Sequence, residues 1–226
     1  MNKVLVIVAH PDDEILGVGA TVVKHVQKSD ECLALILGEG MTSRYEKRDL
    51  ANSLKVEELH KDTFDAAKII GYKDVYLENL PDNRFDSVDL LDIVKIVEKY
   101  IDKIKPDIIY THHSGDLNID HRKTYEAVLT ATRPMDNNCV KKIYCFETVS
   151  STEWNFEYLN PFNPNCFVDV TETLDSKLKA MECYKSELRN FPHPRSIENL
   201  KANAKRWGSV VGREYVEAFQ LVREIK

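Results

Sequence analysis

Short apolar runs alternate with longer, periodically apolar stretches along most of the chain. Strand-like runs lie at 3–9, 32–37, 74–77, 107–111, 143–147, 166–170 and 213–222. The first, second and fourth are almost continuously apolar, the pattern of strands covered on both faces in a parallel sheet. Helical periodicity falls between them. Ile15, Val18, Val22 and Val26 recur at helical spacing within 14–27, and Leu90, Val94, Val97, Ile101 and Ile104 form a stripe within 88–104. Helices are also predicted over 46–69, which is polar but free of Gly and Pro, over 122–132 and over 172–188. Pro106 and Pro134 stand where a helix must give way to a connection.

Strand followed by helix, four times over, calls for βαβ crossovers and an α/β fold with a doubly wound, mostly parallel sheet and helices on both faces. The last third is less regular. Pro161, Pro164, Pro192 and Pro194 punctuate it, and Trp154, Phe156, Tyr158 and Phe162 crowd one stretch. It reads as a loop-rich cover with a helical segment, about 150–226, closing over one edge of the sheet. The expectation is therefore a single domain over 1–226.

Composition narrows the partners. With 226 residues, 43% of them hydrophobic and 30% charged, the chain can bury a substantial core unaided. A net charge of -6 and a pI near 5.7 argue against nucleic acid or an anionic membrane as the main partner. No run approaches the roughly 18 apolar residues of a transmembrane helix, and the run after Lys3 is too short for a secretory signal. Cys32, Cys139, Cys145, Cys166 and Cys183 are odd in number and form no Cys-x-x-Cys pair. They read as reduced thiols in a cytoplasmic protein.

Open α/β sheets bind ligands beyond the carboxyl ends of their strands. Two polar clusters have that address: His10, Asp12, Asp13 and Glu14 after the first strand, and the segment from Thr111 to Arg122 after the fourth. Imidazoles with a carboxylate, leaving one position open, form catalytic rather than structural zinc sites. His10 and Asp13, three apart, can both reach a metal while Asp12 faces water and takes its proton. Taken alone, Asp12-Asp13-Glu14 could also be an N-cap with an acidic first turn. The His before it, and the Asp120-His121 pair at the other strand end, favour the metal.

Ala9-His10-Pro11-Asp12-Asp13-Glu14, followed about a hundred residues later by Asp120-His121-Arg122, resembles the LmbE-like (PIG-L) zinc deacetylases, a family that includes N-acetylglucosaminyl-phosphatidylinositol de-N-acetylase. Pro81-Asp82-Asn83-Arg84, Gly115 to His121, Ser151 to Trp154 and Glu217-Ala218-Phe219 extend the likeness through nearly the whole chain. The resemblance implies a Rossmann-like fold, zinc on His10, Asp13 and His121, and Asp12 as general base. Many members carry His-x-x-His in the second motif; here Asn118 stands in the place of the first His. An Asn amide can donate to an oxyanion but cannot supply a proton to the leaving amine. His113 and the proline-flanked His193 are candidates for that acid, as is Asp12 after it has taken the water's proton. His112 is expected to be structural, and His25 and His60 to be bystanders.

Arg44, Arg84 and Arg195 are candidates for a phosphate, a carboxylate or sugar hydroxyls, with surface ion pairs as the plainer reading. Convergence of two of them would point to a phosphosugar or sugar nucleotide. Trp154 can stack on a sugar ring or simply pack, and Asp120 is expected to contact substrate. The leading expectation is zinc-dependent hydrolysis of the N-acetyl group of an amino sugar, giving acetate and a free amine. Fe2+ is an alternative ion, and a homo-oligomer is compatible with the family. Two other readings stay open: a metal-dependent phosphoesterase and a non-catalytic sugar-nucleotide-binding protein. The lack of a Gly-x-Gly-x-x-Gly after the first strand argues against a dinucleotide site.

Overall fold

Val4 to Val8 of β1 (Lys3–Val8) are wholly buried, because helices cover both faces of this strand. β1 sits inside a seven-stranded sheet with β2 (Glu31–Gly38), β3 (Asp74–Leu80), β4 (Ile108–His112), β5 (Lys142–Phe146), β6 (Cys166–Asp169) and β7 (Val216–Glu224). The spatial order is β3-β2-β1-β4-β5-β7-β6. β1 to β5 are parallel, and β7 runs antiparallel to both its neighbours. The helices are α1 (Asp13–Leu16), α2 (Gly19–Gln27), α3 (Ser53–Ile70), α4 (Leu90–Ile104), α5 (Ile119–Ala131), α6 (Leu174–Met181) and α7 (Ile197–Val211). The computed structural model describes residues 1–50, 52–135, 140–156 and 160–226; Cys139 and Tyr158 lie outside them.

The strand alternation separates two apolar layers. Val4, Val6, Val8 and Ile36 face Ile15, Val22 and Ile70 on one side. Leu5, Ile7, Leu33 and Leu35 face Ile93, Val94 and Val97 on the other. The α4 stripe read from the sequence is thus a core face, and the helix stops at Ile104, where Lys105 turns left-handed (φ 53°) before Pro106.

Three elements differ from expectation for identifiable reasons. The single helix expected over 14–27 is broken into α1 and α2 at Val18, which leaves the helical region (φ -146°, ψ 7°); Gly17 before it lies so close to Phe146 that a Cβ there would sit 2.2 Å from that ring. The break leaves the first amides of α2 and the last carbonyls of α1 needing partners. Glu217 of β7 accepts from Ala20 N (3.2 Å) and Thr21 N (2.7 Å). Lys177 of α6 donates to Leu16 O (2.7 Å) and to Glu217 (2.6 Å). The helix expected from 46 begins only at Ser53, where Asn52 caps it by accepting from Leu54 N. The helix expected over 172–188 ends at Met181, and the chain then turns across the carboxyl edge of the sheet. Within the irregular last third, β6 and β7 join the main sheet rather than lying over it.

The four described cysteines are free, and burial pushes the Cys32 thiol up to about 12, which keeps it unreactive. Among the described residues no helix is long and apolar enough to cross a membrane.

Candidate active site

Strand order reverses direction between β1 and β4: β2 and β3 lie to one side of β1, and β4 lies on the other. That reversal opens a crevice beyond the carboxyl ends of the two strands. Ile7 is in register with Thr111, so the turn after β1 and the segment after β4 emerge side by side. Both polar clusters read from the sequence meet there.

Asp13 is the hub. It is fully buried, and its Oδ2 accepts from His10 N at 2.9 Å. The same oxygen lies 3.4 Å from His10 Nδ1, His112 Nε2 and His121 Nε2. Its other oxygen, Oδ1, is buried with no hydrogen-bond partner, and so are both ring nitrogens of His121. Buried polar atoms in native proteins nearly always have partners, so orphans gathered in one place mark a site suited to an ion or water. His10, Asp13 and His121 offer donor atoms within 4.8 Å of one another, and this set fits a divalent cation.

The electrostatics agree. Burial lowers the pKa of His121, but the Asp13 and Asp116 carboxylates outweigh it and hold the ring at about 9. His10 is also raised: burial lowers it, and Asp120, Asp13 and Asp82 more than compensate. Asp13 is pushed up by burial and brought well below the usual range mainly by His121. Without a cation, the surplus negative charge draws protons onto the imidazoles.

Around this set lies a ring of supporting groups. Asp116 Oδ1 stands 3.1 Å from His121 Nδ1, close but out of line for a hydrogen bond. Its oxygens also accept from Asn118 N (2.8 Å), Thr152 Oγ1 (2.7 Å) and Ser151 Oγ. Burial raises Asp116, yet the His121 charge and these bonds bring it down to about 2. Asp120, expected to contact substrate, is fully buried instead. Its Oδ2 faces His10 Nε2 (2.9 Å) and accepts from Asn83 N (2.6 Å), while Oδ1 accepts from Phe85 N (2.9 Å). It is a carboxylate that fixes the orientation of the His10 imidazole. His112 has the structural place expected of it: Nε2 accepts from Ala9 N (3.0 Å), Nδ1 meets Thr148 Oγ1 (3.1 Å), and the ring stacks on His121 at 3.9 Å. Burial first, then the His121 charge, lowers it to about 4.

A second possible cation set, His10, Asp82 and Asp120, shares its histidine with the first. Its carboxylates are already engaged. Asp82 accepts from Ser43 N (2.9 Å), Ser43 Oγ (2.6 Å) and Asn83 Nδ2 (3.1 Å), and Asp120 is held as described. This removes the most direct support for a two-metal phosphoesterase.

Asp12 stands apart from the ligand set at a left-handed backbone position, φ 103°. Burial pushes its pKa well up, and the Arg195 guanidinium pulls part of that back. Arg195 Nη1 donates to Asp12 Oδ2 (2.8 Å) and to Glu187 Oε2 (3.1 Å). Glu187 in turn accepts from Arg44 Nη2 at 2.7 and 2.6 Å. Arg44 and Arg195 therefore do converge on one cleft, but on a protein carboxylate. Arg84 is exposed, outside the cleft lining and without a side-chain partner among the described residues. His193 Nδ1 accepts from Arg195 N (3.1 Å), and its ring meets Trp154 edge to face at 5.9 Å. It does not line the cleft that holds Asp12 and Asn118. His113 turns away to Asn160 O (3.0 Å). Asn118 caps α5, accepting from Asp120 N (2.8 Å), and donates to Asn83 Oδ1 (2.9 Å). Sequence reasoning missed Glu187 altogether and gave Asp116 no role of its own, although the latter lies within the Thr111–Arg122 cluster.

Residues 5–132 match the family model described as PIG-L: GlcNAc-PI de-N-acetylase. The chain belongs to this family. With membership comes the reaction class, hydrolytic N-deacetylation. The chain is 25% identical to a diacetylchitobiose deacetylase of Thermococcus kodakarensis, over 98% of its own length and 84% of that protein's. The N,N'-diacetylchitobiose deacetylase of Pyrococcus horikoshii, solved with an inhibitor, superposes with a TM-score of 0.77 at 23% identity, covering 98% of this chain and 84% of that one. GalB, the 4-carboxy-2-hydroxymuconate hydratase of Pseudomonas putida, superposes with 0.75 at 20% identity over 100% and 98%. The fold alone thus accommodates another reaction, and the family match carries the assignment.

Proposed function

We propose that this chain is a zinc-dependent deacetylase of N-acetylated amino sugars, with His10, Asp13 and His121 holding the ion in a single catalytic domain. The supporting observation is the group of buried, unpartnered donor atoms on Asp13 and His121 beside His10, next to a carboxylate that is not one of them. Zinc at that position would supply a Lewis acid for the acetyl carbonyl and make water more acidic.

Asp12 takes a proton from the attacking water as its oxygen adds to the carbonyl carbon. Burial strengthens Asp12 as a base by raising its pKa. Asn118 uses one amide hydrogen on Asn83 and has a second to offer the developing oxyanion. When the C–N bond breaks, Asp12 returns its proton to the leaving nitrogen, giving acetate and a free amine. The acid role considered for His193 goes to Asp12, since His193 sits outside the cleft. Arg44, which lines the cleft, offers its remaining donors to the substrate's polar groups, whereas Trp154, 42% exposed and outside the cleft lining, would meet only a sugar unit extending beyond it.

The test is metal content of the purified protein, with zinc and iron both measured, alongside acetate and amine release from N-acetylglucosamine, diacetylchitobiose and nucleotide-linked N-acetyl sugars. Near-stoichiometric zinc with equimolar acetate and amine is expected. Bound metal without amine release from any of them would refute the proposal.

A further inference from the structure

We infer that Arg195 is a positioning residue, held by Glu187 and Ser150, that pins one oxygen of Asp12 and leaves the other for the proton. The inference rests on the reading of Asp12 as the base. A carboxylate turns easily about its last bond, so its two oxygens are interchangeable unless something distinguishes them. Here Oδ2 is fixed by Arg195 Nη1 at 2.8 Å, and Oδ1 accepts no hydrogen bond from any described residue.

Arg195 is itself fixed. Its Nε donates to Ser150 Oγ (2.8 Å) and its Nη1 to the buried Glu187 (3.1 Å). The backbone of Asp12 is constrained too: its amide donates to Glu14 Oε2 (3.0 Å), and its φ of 103° is one that Asp adopts rarely. Strained residues of this kind persist where their surroundings over-determine them. The guanidinium fork suits the task because its donors leave in fixed directions, toward the turn after β1, the segment after β5 and the segment after α6. An anion-receptor role for Arg195 fits less well, since two protein carboxylates already share its Nη1.

The experiment compares kcat, KM, zinc content and melting temperature for Arg195→Ala, Arg195→Lys and Glu187→Gln in the zinc-loaded protein. Misplacing a catalytic group should lower kcat about 100-fold in Arg195→Ala, with KM and zinc content unchanged. Added guanidinium should restore about tenfold of that by refilling the vacated position. Arg195→Lys keeps the charge without the fork and should recover no more than about a tenth of wild-type kcat. Glu187→Gln should lose about tenfold, again in kcat. A rise in KM with kcat intact would make Arg195 a substrate contact, and loss of zinc or of cooperative melting would make it merely structural; either overturns the inference. If the wild type releases no amine, Asp12 is not the base and this inference falls with it. An active wild type with indifferent Arg195 and Glu187 variants would overturn this inference alone.

Discussion

Asp116→Asn isolates what the ring of supporting carboxylates does for the metal site. The replacement keeps shape and removes charge. Oriented with its oxygen toward Asn118 N and His121, the amide preserves the 2.8 Å bond to Asn118 N. Its nitrogen then faces Thr152 Oγ1, a hydroxyl 2.7 Å away that can turn to accept. Local packing therefore survives, and the main loss is the negative charge 3.1 Å from His121 Nδ1. Removing an outer carboxylate behind a ligand imidazole weakens metal binding about 10- to 100-fold, or about 1.4–2.7 kcal/mol. Zinc titration of metal-stripped protein against a competing chelator reads this directly. Turnover at saturating zinc should return to near the wild-type rate, because Asp116 touches none of the reacting groups. An unchanged zinc Kd in a normally melting variant would refute the argument.

Four further outcomes follow from the same geometry. Asp12→Ala should abolish amine release while zinc content stays at the wild-type level; loss of zinc would mean that base and ligand have been exchanged. Glu217→Ala strands the buried Lys177 charge and two helix amides, so chemical denaturation should show a loss of about 3–5 kcal/mol. Adding Lys177→Met should recover part of it, and strictly additive losses would count against the pair. Gly17→Ala drives a Cβ to 2.2 Å from the Phe146 ring and should cost about 1–3 kcal/mol or more in the same assay. In the metal-free protein Asp116 is ionised down to about 2 when folded, against an ordinary 3.8. A depressed carboxylate contributes its stability above the unfolded pKa. About 2 kcal/mol should therefore be lost as pH falls from about 4 to 2, and Asp116→Asn should flatten that part of the pH–stability curve.

What could be read from the sequence was what is encoded locally. The apolar run of β1, the stripe of α4 and the His10-to-Glu14 turn each carry their signal within a few residues. The start expected for α5 at 122 is three residues late, since Asn118 caps a helix that begins at Ile119. The α1/α2 break was illegible because Ile15, Val18 and Val22 keep their periodicity across it. The groups that satisfy its exposed amides and carbonyl, Glu217 and Lys177, lie on β7 and α6, far along the chain. Asp120 and Arg195 were assigned to substrate because sequence shows a polar side chain but not its partners. In the structure those partners are backbone amides from 83 and 85 and the carboxylates of Asp12 and Glu187. Glu187, in a run of ordinary polar residues, gave no signal.

The placement of β7 between β5 and β6 bears on how the site assembles during synthesis. Among the described residues β6 pairs only with β7, so that sheet edge stays open until β7 has been made and inserted. β7 also carries Glu217, the anchor for the start of α2 directly behind the Asp12–Asp13 turn. The nascent chain can therefore present His10 and Asp13 long before the scaffold that fixes them exists. Contacts this far apart in sequence slow folding. They also delay support for the Asp12–Asp13 turn until β7 has joined the sheet.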